Sequence, residues 1–348
     1  MARDTGFSGL AAACAALCLL AAPARAQEGV ANFYRGKQLQ LRVGTPAGSG
    51  YDIVARLIAT RFSRHMPGNP AVIVQNVPGA GSLTLANQIA TTAPRDGTVI
   101  GIVTNGVPTA PMLTPETARF DISRFGWIGS PSAETMMVML WHDAPIRDIA
   151  DLYTKETLVG AAQLGTATMD NPLVANAALG TKFKIIPGYD GTNAIDLAME
   201  RGEIMGHAGI GWVTAKARNQ QWMKEGKVRV VAQYGFTKNP EMPDVPLFEL
   251  PADPVKRDMI SVMFARQDFG RPLIAPPDTP ADRLNALRRA YDETMRDPDF
   301  LREAAQASMD INPITGEALE KLAAGVKATS PEAVARLRDV LDPNRMAK

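Results

Sequence analysis

Cysteine is almost absent from this chain of 348 residues, since Cys14 and Cys18 are its only two and both stand within the first twenty positions. Whatever follows them folds without disulfides and without a cysteine-bearing zinc site. Histidine is nearly as scarce: His65, His142 and His207 lie far apart, at no metal-ligand spacing, so no metal is expected. Neither sign of charge dominates, with 37 Lys+Arg against 36 Asp+Glu. No basic arm or stripe marks a nucleic-acid or anionic-membrane surface, so nucleic acid is not expected as a partner. No apolar run approaches the roughly 20 residues that span a bilayer. The motifs G-x-S-x-G, H-E-x-x-H, G-x-x-x-x-G-K-[ST] and a complete G-x-G-x-x-G after a strand are all missing. Ser49 and Ser82 sit in loops without a local base, which leaves them poor nucleophiles. The chain therefore reads as a binding protein with no cofactor, not an enzyme.

What is present begins with the make-up of an export signal. Arg3 lies in a short polar stretch, an apolar run extends from Leu10 to Ala22, and Ala24-Arg25-Ala26 offers a small-residue cleavage site before Gln27. Removal of residues 1–26 is expected to leave a periplasmic product without cysteine. Loss of Arg3, Arg25 and Asp4 with the signal leaves acidic and basic side chains in equal number. The remainder is long enough to favour two lobes over one.

Gln38 to Val43 alternates in strand fashion. Asp52 to Met66 follows as a helix, with Ile53, Val54, Leu57, Ile58, Phe62 and Met66 at helical spacing. Pro67-Gly68-Asn69-Pro70 stops it. Val72 to Gln75, Ser82 to Thr91 and Val99 to Thr104 then read as strand, helix and strand, completing the βαβαβ pattern of a parallel sheet. A second alternation sets strands Leu158–Gln163, Phe183–Pro187, Glu203–Ala208 and Val228–Tyr234 between helices Asn171–Leu179, Thr192–Glu200 and Val213–Lys224. A proline-rich stretch follows, with Ile260–Ala265 as a lone apolar strand. Helices near Pro280–Met295, Pro298–Ala307, Gly316–Lys327 and Pro331–Leu341 close the chain. The fold class is α/β, a two-lobed binding protein in which each lobe is a mixed sheet flanked by helices. Lobe 1 comprises 27–135 and 240–348 and lobe 2 comprises 136–239, with crossings near Met136–Trp141 and Val228–Tyr234.

Three glycine-bearing loops stand where the first three strands end: Thr45-Pro46-Ala47-Gly48-Ser49-Gly50-Tyr51-Asp52, Pro78-Gly79-Ala80-Gly81-Ser82 and Thr104-Asn105-Gly106. Loops at the carboxyl ends of parallel strands converge on one crevice, where helix N-termini offer unpaired N–H groups and partial positive charge to an anion. The second lobe presents comparable loops, Gly165-Thr166-Ala167-Thr168, Gly188-Tyr189-Asp190-Gly191-Thr192-Asn193 and Gly209-Ile210-Gly211-Trp212. Each candidate has a structural alternative. Asp52 either caps its helix or meets an amino or hydroxyl group of the ligand. Gly79 and Gly81 either permit a tight turn or let backbone approach the ligand. Thr166, Thr168 and Asn193 either cap helices or donate to the ligand. Tyr189 and Trp212 either pack or form a pocket wall, and His207 ends a strand near the expected cleft.

Leu41-Arg42-Val43-Gly44, Gly48-Ser49-Gly50-Tyr51-Asp52, Ala55-Arg56-Leu57, Val74 through Ser82 and Ala93-Pro94-Arg95-Asp96-Gly97-Thr98 together resemble the periplasmic receptors of tripartite tricarboxylate transporters, the Bug family. The resemblance continues through Ile186-Pro187-Gly188-Tyr189-Asp190-Gly191-Thr192, Met242-Pro243-Asp244-Val245-Pro246 and Leu273-Ile274-Ala275-Pro276-Pro277, and so covers nearly the whole chain after the signal. It implies a type II-like Venus flytrap that captures a small organic acid and passes it to the membrane permease subunits of a tripartite transporter; a monomer is the default for a receptor that must dock on a membrane complex. Carried over by position, it places Ala47, Gly48, Ser49, Gly50 and Tyr51 with Gly79, Ala80, Gly81 and Ser82 at the ligand carboxylate, and Thr104 and Asn105 beside it. On the second lobe, Thr166, Thr168, Tyr189, Gly191, Thr192, Asn193, His207 and Trp212 would meet the rest of the ligand. Two departures stand out. Ala47-Gly48-Ser49-Gly50 replaces the family's proline and paired glycines, and Arg201-Gly202-Glu203 replaces its glycine-glycine-glutamine segment. Tyr189 and Trp212 point to a bulky apolar wall and away from a citrate-like ligand. A solute sensor that presents its closed form to a signalling partner is the alternative function.

Overall fold

The computed structural model describes residues 28–342 apart from 163 and 308, so the expected signal at 1–26 lies outside the described residues. Its strands are β1 (Gln38–Val43), β2 (Ala71–Asn76), β3 (Val99–Ile102), β4 (Gly126–Ser130), β5 (Met136–Trp141), β6 (Thr157–Gly160), β7 (Phe183–Ile186), β8 (Gly206–Gly211), β9 (Val228–Gln233), β10 (Leu273–Ala275) and β11 (Ile314–Thr315). They form two mixed sheets. The first has the order β11-β4-β10-β3-β1-β2 and the second β7-β6-β8-β5-β9. In the first, β1 lies parallel between β2 and β3, as the βαβαβ pattern requires, and β10 returns antiparallel between β3 and β4. In the second, β6 runs parallel to β7 and β8, while β5 is antiparallel to both β8 and β9.

The longer helices are α1 (Gly50–His65), α2 (Leu83–Thr91), α3 (Ala167–Leu179), α4 (Thr192–Glu200), α5 (Trp212–Lys224), α6 (Pro254–Phe269), α7 (Ala281–Arg296), α8 (Pro298–Gln306), α9 (Gly316–Lys327) and α10 (Pro331–Val340). In α1, Val54, Ile58 and Phe62 recur every fourth residue and bury against Leu39, Leu41 and Val43 of β1. Each such side chain stabilises the fold by about 1.5–3 kcal/mol on full burial. Ile53, one position off that row, is 42% exposed, so the apolar face is narrower than the sequence pattern implies. Asp297 caps α8 by accepting from the N–H groups of Asp299 and Phe300.

The strand expected at Ile260–Ala265 is instead the middle of α6. Asp253 caps this helix by accepting the Lys256 N–H, and Pro254 occupies its first turn. Met259, Ile260, Met263 and Phe264 of α6 join a core with Val138, Val159, Val174 and Ala208 around the second sheet, whereas Ala265 and Phe269 join Leu85, Val103 and Trp127 around the first. A helix wedged between two cores is buried nearly all round, so its sequence shows an apolar run and no clean polar face. Ala333 and Leu337 of α10 also pack into the second-sheet core. The segment after residue 240 therefore serves both sheets.

Candidate functional site

The first loop is held by a carboxylate turned back on itself. Gly48, at φ +79, donates its N–H to Asp52 Oδ2 at 2.8 Å, and Ser49 caps α1 by accepting the Asp52 N–H at 3.2 Å. Arg56 Nε reaches Asp52 Oδ2 at 3.0 Å, and Asn76 Nδ2 donates both to Asp52 Oδ1 at 2.9 Å and to the Thr45 carbonyl at 3.0 Å. Asp52 is 3% exposed. The Arg56 hydrogen bond and those of the Gly48 amide and Asn76 hold its carboxyl at about 2, against the opposing effect of burial. The N-cap of α1 is Ser49 and not Asp52, whose carboxylate is engaged by Gly48, Arg56 and Asn76. The N–H groups of Gly50 and Tyr51, in the first turn of α1, have no acceptor among the described residues.

The second loop is strained and clamped. Gly79 has φ +144, and Ala80, Gly81 and Ser82 follow at φ +46, +61 and +73. Left-handed geometry at the two non-glycine positions costs on the order of 1–2 kcal/mol each. Ser82 Oγ, buried, donates to the Gly44 carbonyl at 2.9 Å and accepts the Thr104 N–H at 3.3 Å, while Thr104 Oγ1 donates to the Gly81 carbonyl at 2.7 Å. One serine thus ties the ends of β1 and β3 to the loop after β2. Gly44 has no room for a side chain, because a Cβ there would overlap Ser82. Tyr51 completes the cluster, since its hydroxyl accepts the Asn105 N–H at 3.3 Å and donates to the Gly270 carbonyl at 3.2 Å. Burial pushes that phenol above its ordinary pKa.

Across from these loops, Gly165, at φ +86, donates to Asp170 Oδ1 at 2.9 Å, repeating the arrangement of Gly48 and Asp52. The other oxygen of Asp170 meets Arg266 Nη1 of α6 at 2.8 Å. Arg266 also approaches the third loop: a Cβ on Gly106 would lie 3.2 Å from its Nη2. Thr168 Oγ1 accepts the Ala162 N–H at 3.1 Å and lies 3.0 Å from Thr166 Oγ1. Glu134, in the crossing between β4 and β5, accepts the Val213 N–H of α5 at 3.3 Å and lies 3.6 Å from Arg271 Nη2.

The remaining candidates divide. Gly191, at φ +150, is the N-cap position of α4, and Thr192 and Asn193 are the first residues of that helix. Tyr189 and Trp212 are half-buried against the core of Met137, Ile195, Met199 and Ile210, and Trp212 Nε1 donates to Glu241 Oε1 at 3.1 Å. His207 departs from its expected place. It is fully buried in β8, with Nε2 2.8 Å from Asp196 Oδ1, and Arg218 pairs with the second Asp196 oxygen at 2.9 Å. Its neighbours are α4 and α5, not the loops, because its position in β8 directs the ring into the sheet's helix layer. Two surface hollows of about 510 and 520 Å³ border His65 and Glu293 at the opposite end of α1. Among the described residues no cluster of His, Cys, Asp and Glu could hold a metal ion.

Sequence reading missed Glu134, Asp170, Arg266 and Arg271, which link the two sheets. A signal existed for Asp170 alone, because Gly165 to Asp170 echoes Gly48 to Asp52.

A family model described as tripartite tricarboxylate transporter family receptor matches residues 54–335. The UPF0065 protein in gbd 5'region of Cupriavidus necator is 27% identical over 312 residues, covering 87% of each chain. The fold is similar to a TctC solute binding protein from Polaromonas, at a TM-score of 0.67 and 19% identity, covering 89% of this chain and 99% of that one. It is also similar to MatC from Rhodopseudomonas palustris with bound malate, at a TM-score of 0.57 and 20% identity, covering 88% and 99%. With the family model matched across most of its length, the chain belongs to the solute-receptor family of the tripartite tricarboxylate transporters.

Proposed function

We propose that the protein is exported through its N-terminal segment and captures a small carboxylate-containing molecule between its two sheets, then delivers it to the membrane permease of a tripartite transporter. The observation that carries this reading is the pair of unengaged N–H groups, on Gly50 and Tyr51, at the start of a helix whose Tyr51 hydroxyl takes the Asn105 N–H, beside a strained second loop that Ser82 ties to Gly44 and Thr104. Such amides, with the helix dipole behind them, suit an anion. Family membership and the malate held by MatC support a carboxylate as that anion. The first sheet with 27–135 and 240–348 would form one lobe and 136–239 the other, with α6 packed on both. Closure would bring Thr166, Thr168, Tyr189, Gly191, Thr192, Asn193 and Trp212 toward the ligand.

A thermal-shift screen of the exported form against mono-, di- and tricarboxylates, aromatic acids and amino acids tests the proposal. A ligand at a hundred times its Kd stabilises the folded state by about 2.7 kcal/mol. A raised Tm with a subset of acids is expected. Folded, ligand-free protein that responds to none of them would contradict the reading.

A further inference from the structure

We infer that Glu134 occupies the place a second ligand carboxylate would take, so that this receptor selects monocarboxylates carrying a hydrogen-bond donor at the far end over dicarboxylates of matched length. The inference rests on the receptor reading above and names its ligand class. Glu134 lies in the segment that crosses from the first sheet to the second, and its side chain is only 10% exposed. Its Oε1 sits at the first turn of α5, taking the Val213 N–H. A Cβ on Gly211 would lie 2.6 Å from that oxygen, so the glycine leaves room for the carboxylate. The helix start that would serve an incoming anion on the second lobe already holds one supplied by the chain.

The cations nearby are engaged as well. Arg271 Nη2 faces Glu134 and its Nη1 donates to Ser132 Oγ at 2.7 Å. Its guanidinium carbon lies 5.6 Å from the centre of the Tyr51 ring, which connects this group to the first-lobe loops. Arg266 is committed to Asp170. A second ligand carboxylate would therefore meet Glu134 beside two guanidiniums that already face carboxylates, Arg266 on Asp170 and Arg271 on Glu134 itself with only its buried Nε unpartnered among the described residues, whereas a hydroxyl, amide or ammonium can donate to Glu134. Gln267 adds a complementary group. Its carbonyl accepts the Glu134 N–H at 3.1 Å and its Oε1 accepts the Met136 N–H at 2.9 Å, yet its Nε2 is buried without a partner among the described residues. A hydroxyl or amide, able both to donate and to accept, suits a site with Glu134 and that nitrogen.

The test is calorimetric titration of the exported protein with matched pairs, 4-hydroxybutyrate against succinate and 5-hydroxypentanoate against glutarate. Wild type should bind the hydroxy acid of at least one pair about tenfold more tightly than the diacid. Glu134→Gln, which keeps an acceptor for Val213, should reduce that ratio to roughly threefold or less. Gly211→Ala, which displaces the carboxylate without removing its charge, should shift the ratio in the same direction. Circular dichroism and melting curves establish that both variants fold. Diacids that bind wild type as tightly as their hydroxy partners, or a ratio unchanged in folded Glu134→Gln, would overturn the inference and leave the receptor reading standing. Absence of binding by any acid, including those of the thermal-shift panel, would remove both.

Discussion

The loops that open α1 and α3 use the same local device with different counter-ions. In each, a glycine of positive φ donates its N–H to the carboxylate of an aspartate inside the following helix, Gly48 to Asp52 and Gly165 to Asp170. Asp52 finds Arg56 one turn along its own helix, with that guanidinium side chain 51% exposed. Asp170 finds Arg266, 96 residues away on α6 and 12% exposed. The first aspartate is therefore held by its own helix and by Asn76 at the end of β2, and the second is a joint that fastens α3 to the helix shared by both cores. On the proposed reading, a first lobe that seats the ligand by backbone would gain from rigidity of its own, and the second would be positioned through its tie to α6.

The comparison is broken most severely at the joint. Asp170→Ala leaves Arg266 without its partner in a largely buried place, and a loss of about 3–5 kcal/mol in urea denaturation is expected. Asp170→Ala combined with Arg266→Met should recover much of that loss; a double variant no more stable than the single one would mean that the pair is not the source of the cost.

A smaller effect is expected in the first loop, where Asp52→Asn keeps the shape and loses the charge. The expected loss is about 1–3 kcal/mol at neutral pH. Because the folded carboxyl sits at about 2, below its ordinary 3.8, its contribution is complete above pH 4 and drains away as the pH falls through about 2. Wild type and Asp52→Asn should thus converge in stability across that acid window. A difference that stays constant from neutral pH to pH 2 would show that Asp52 does not act through its charge.

Ser82→Ala removes the hydroxyl shared by the Gly44 carbonyl and the Thr104 N–H, and about 1 kcal/mol of stability should go with it. Its effect on acid binding should exceed its effect on folding, since all three loops lose their common tie. The smallest effect on binding is expected at His207. His207→Gln should lower Tm through the buried contact with Asp196 and leave ligand affinity within about twofold. A large drop in affinity with unchanged stability would return His207 to the binding site.

How much of this was legible in the sequence follows the range of each interaction. The glycine-led loops and the helix Thr192–Glu200 depend on neighbours a few positions apart, and the sequence shows them directly, whereas the cap of α1 falls on Ser49 and not on the expected Asp52. α6 was hidden because burial by both cores removes the polar face that periodicity relies on. His207 was misplaced because a histidine near a strand end looks the same whether its partner is a ligand or Asp196, eleven positions earlier on α4. Glu134 with Arg271 and Asp170 with Arg266 pair across the fold, and no local pattern links their positions. Family resemblance carries the receptor reading, whereas these four residues carry how the chain is fastened between its two sheets and, on the inference above, what it accepts.

The central claim is that a ligand carboxylate sits on the N–H groups of Gly50 and Tyr51. Two-dimensional ¹⁵N–¹H NMR of the exported protein, titrated with an acid found in the thermal-shift screen, tests it most directly. The account predicts that these two amide signals move downfield and follow a saturation curve whose midpoint matches the Kd measured by calorimetry. Saturation of the protein while both signals remain where they were would contradict it.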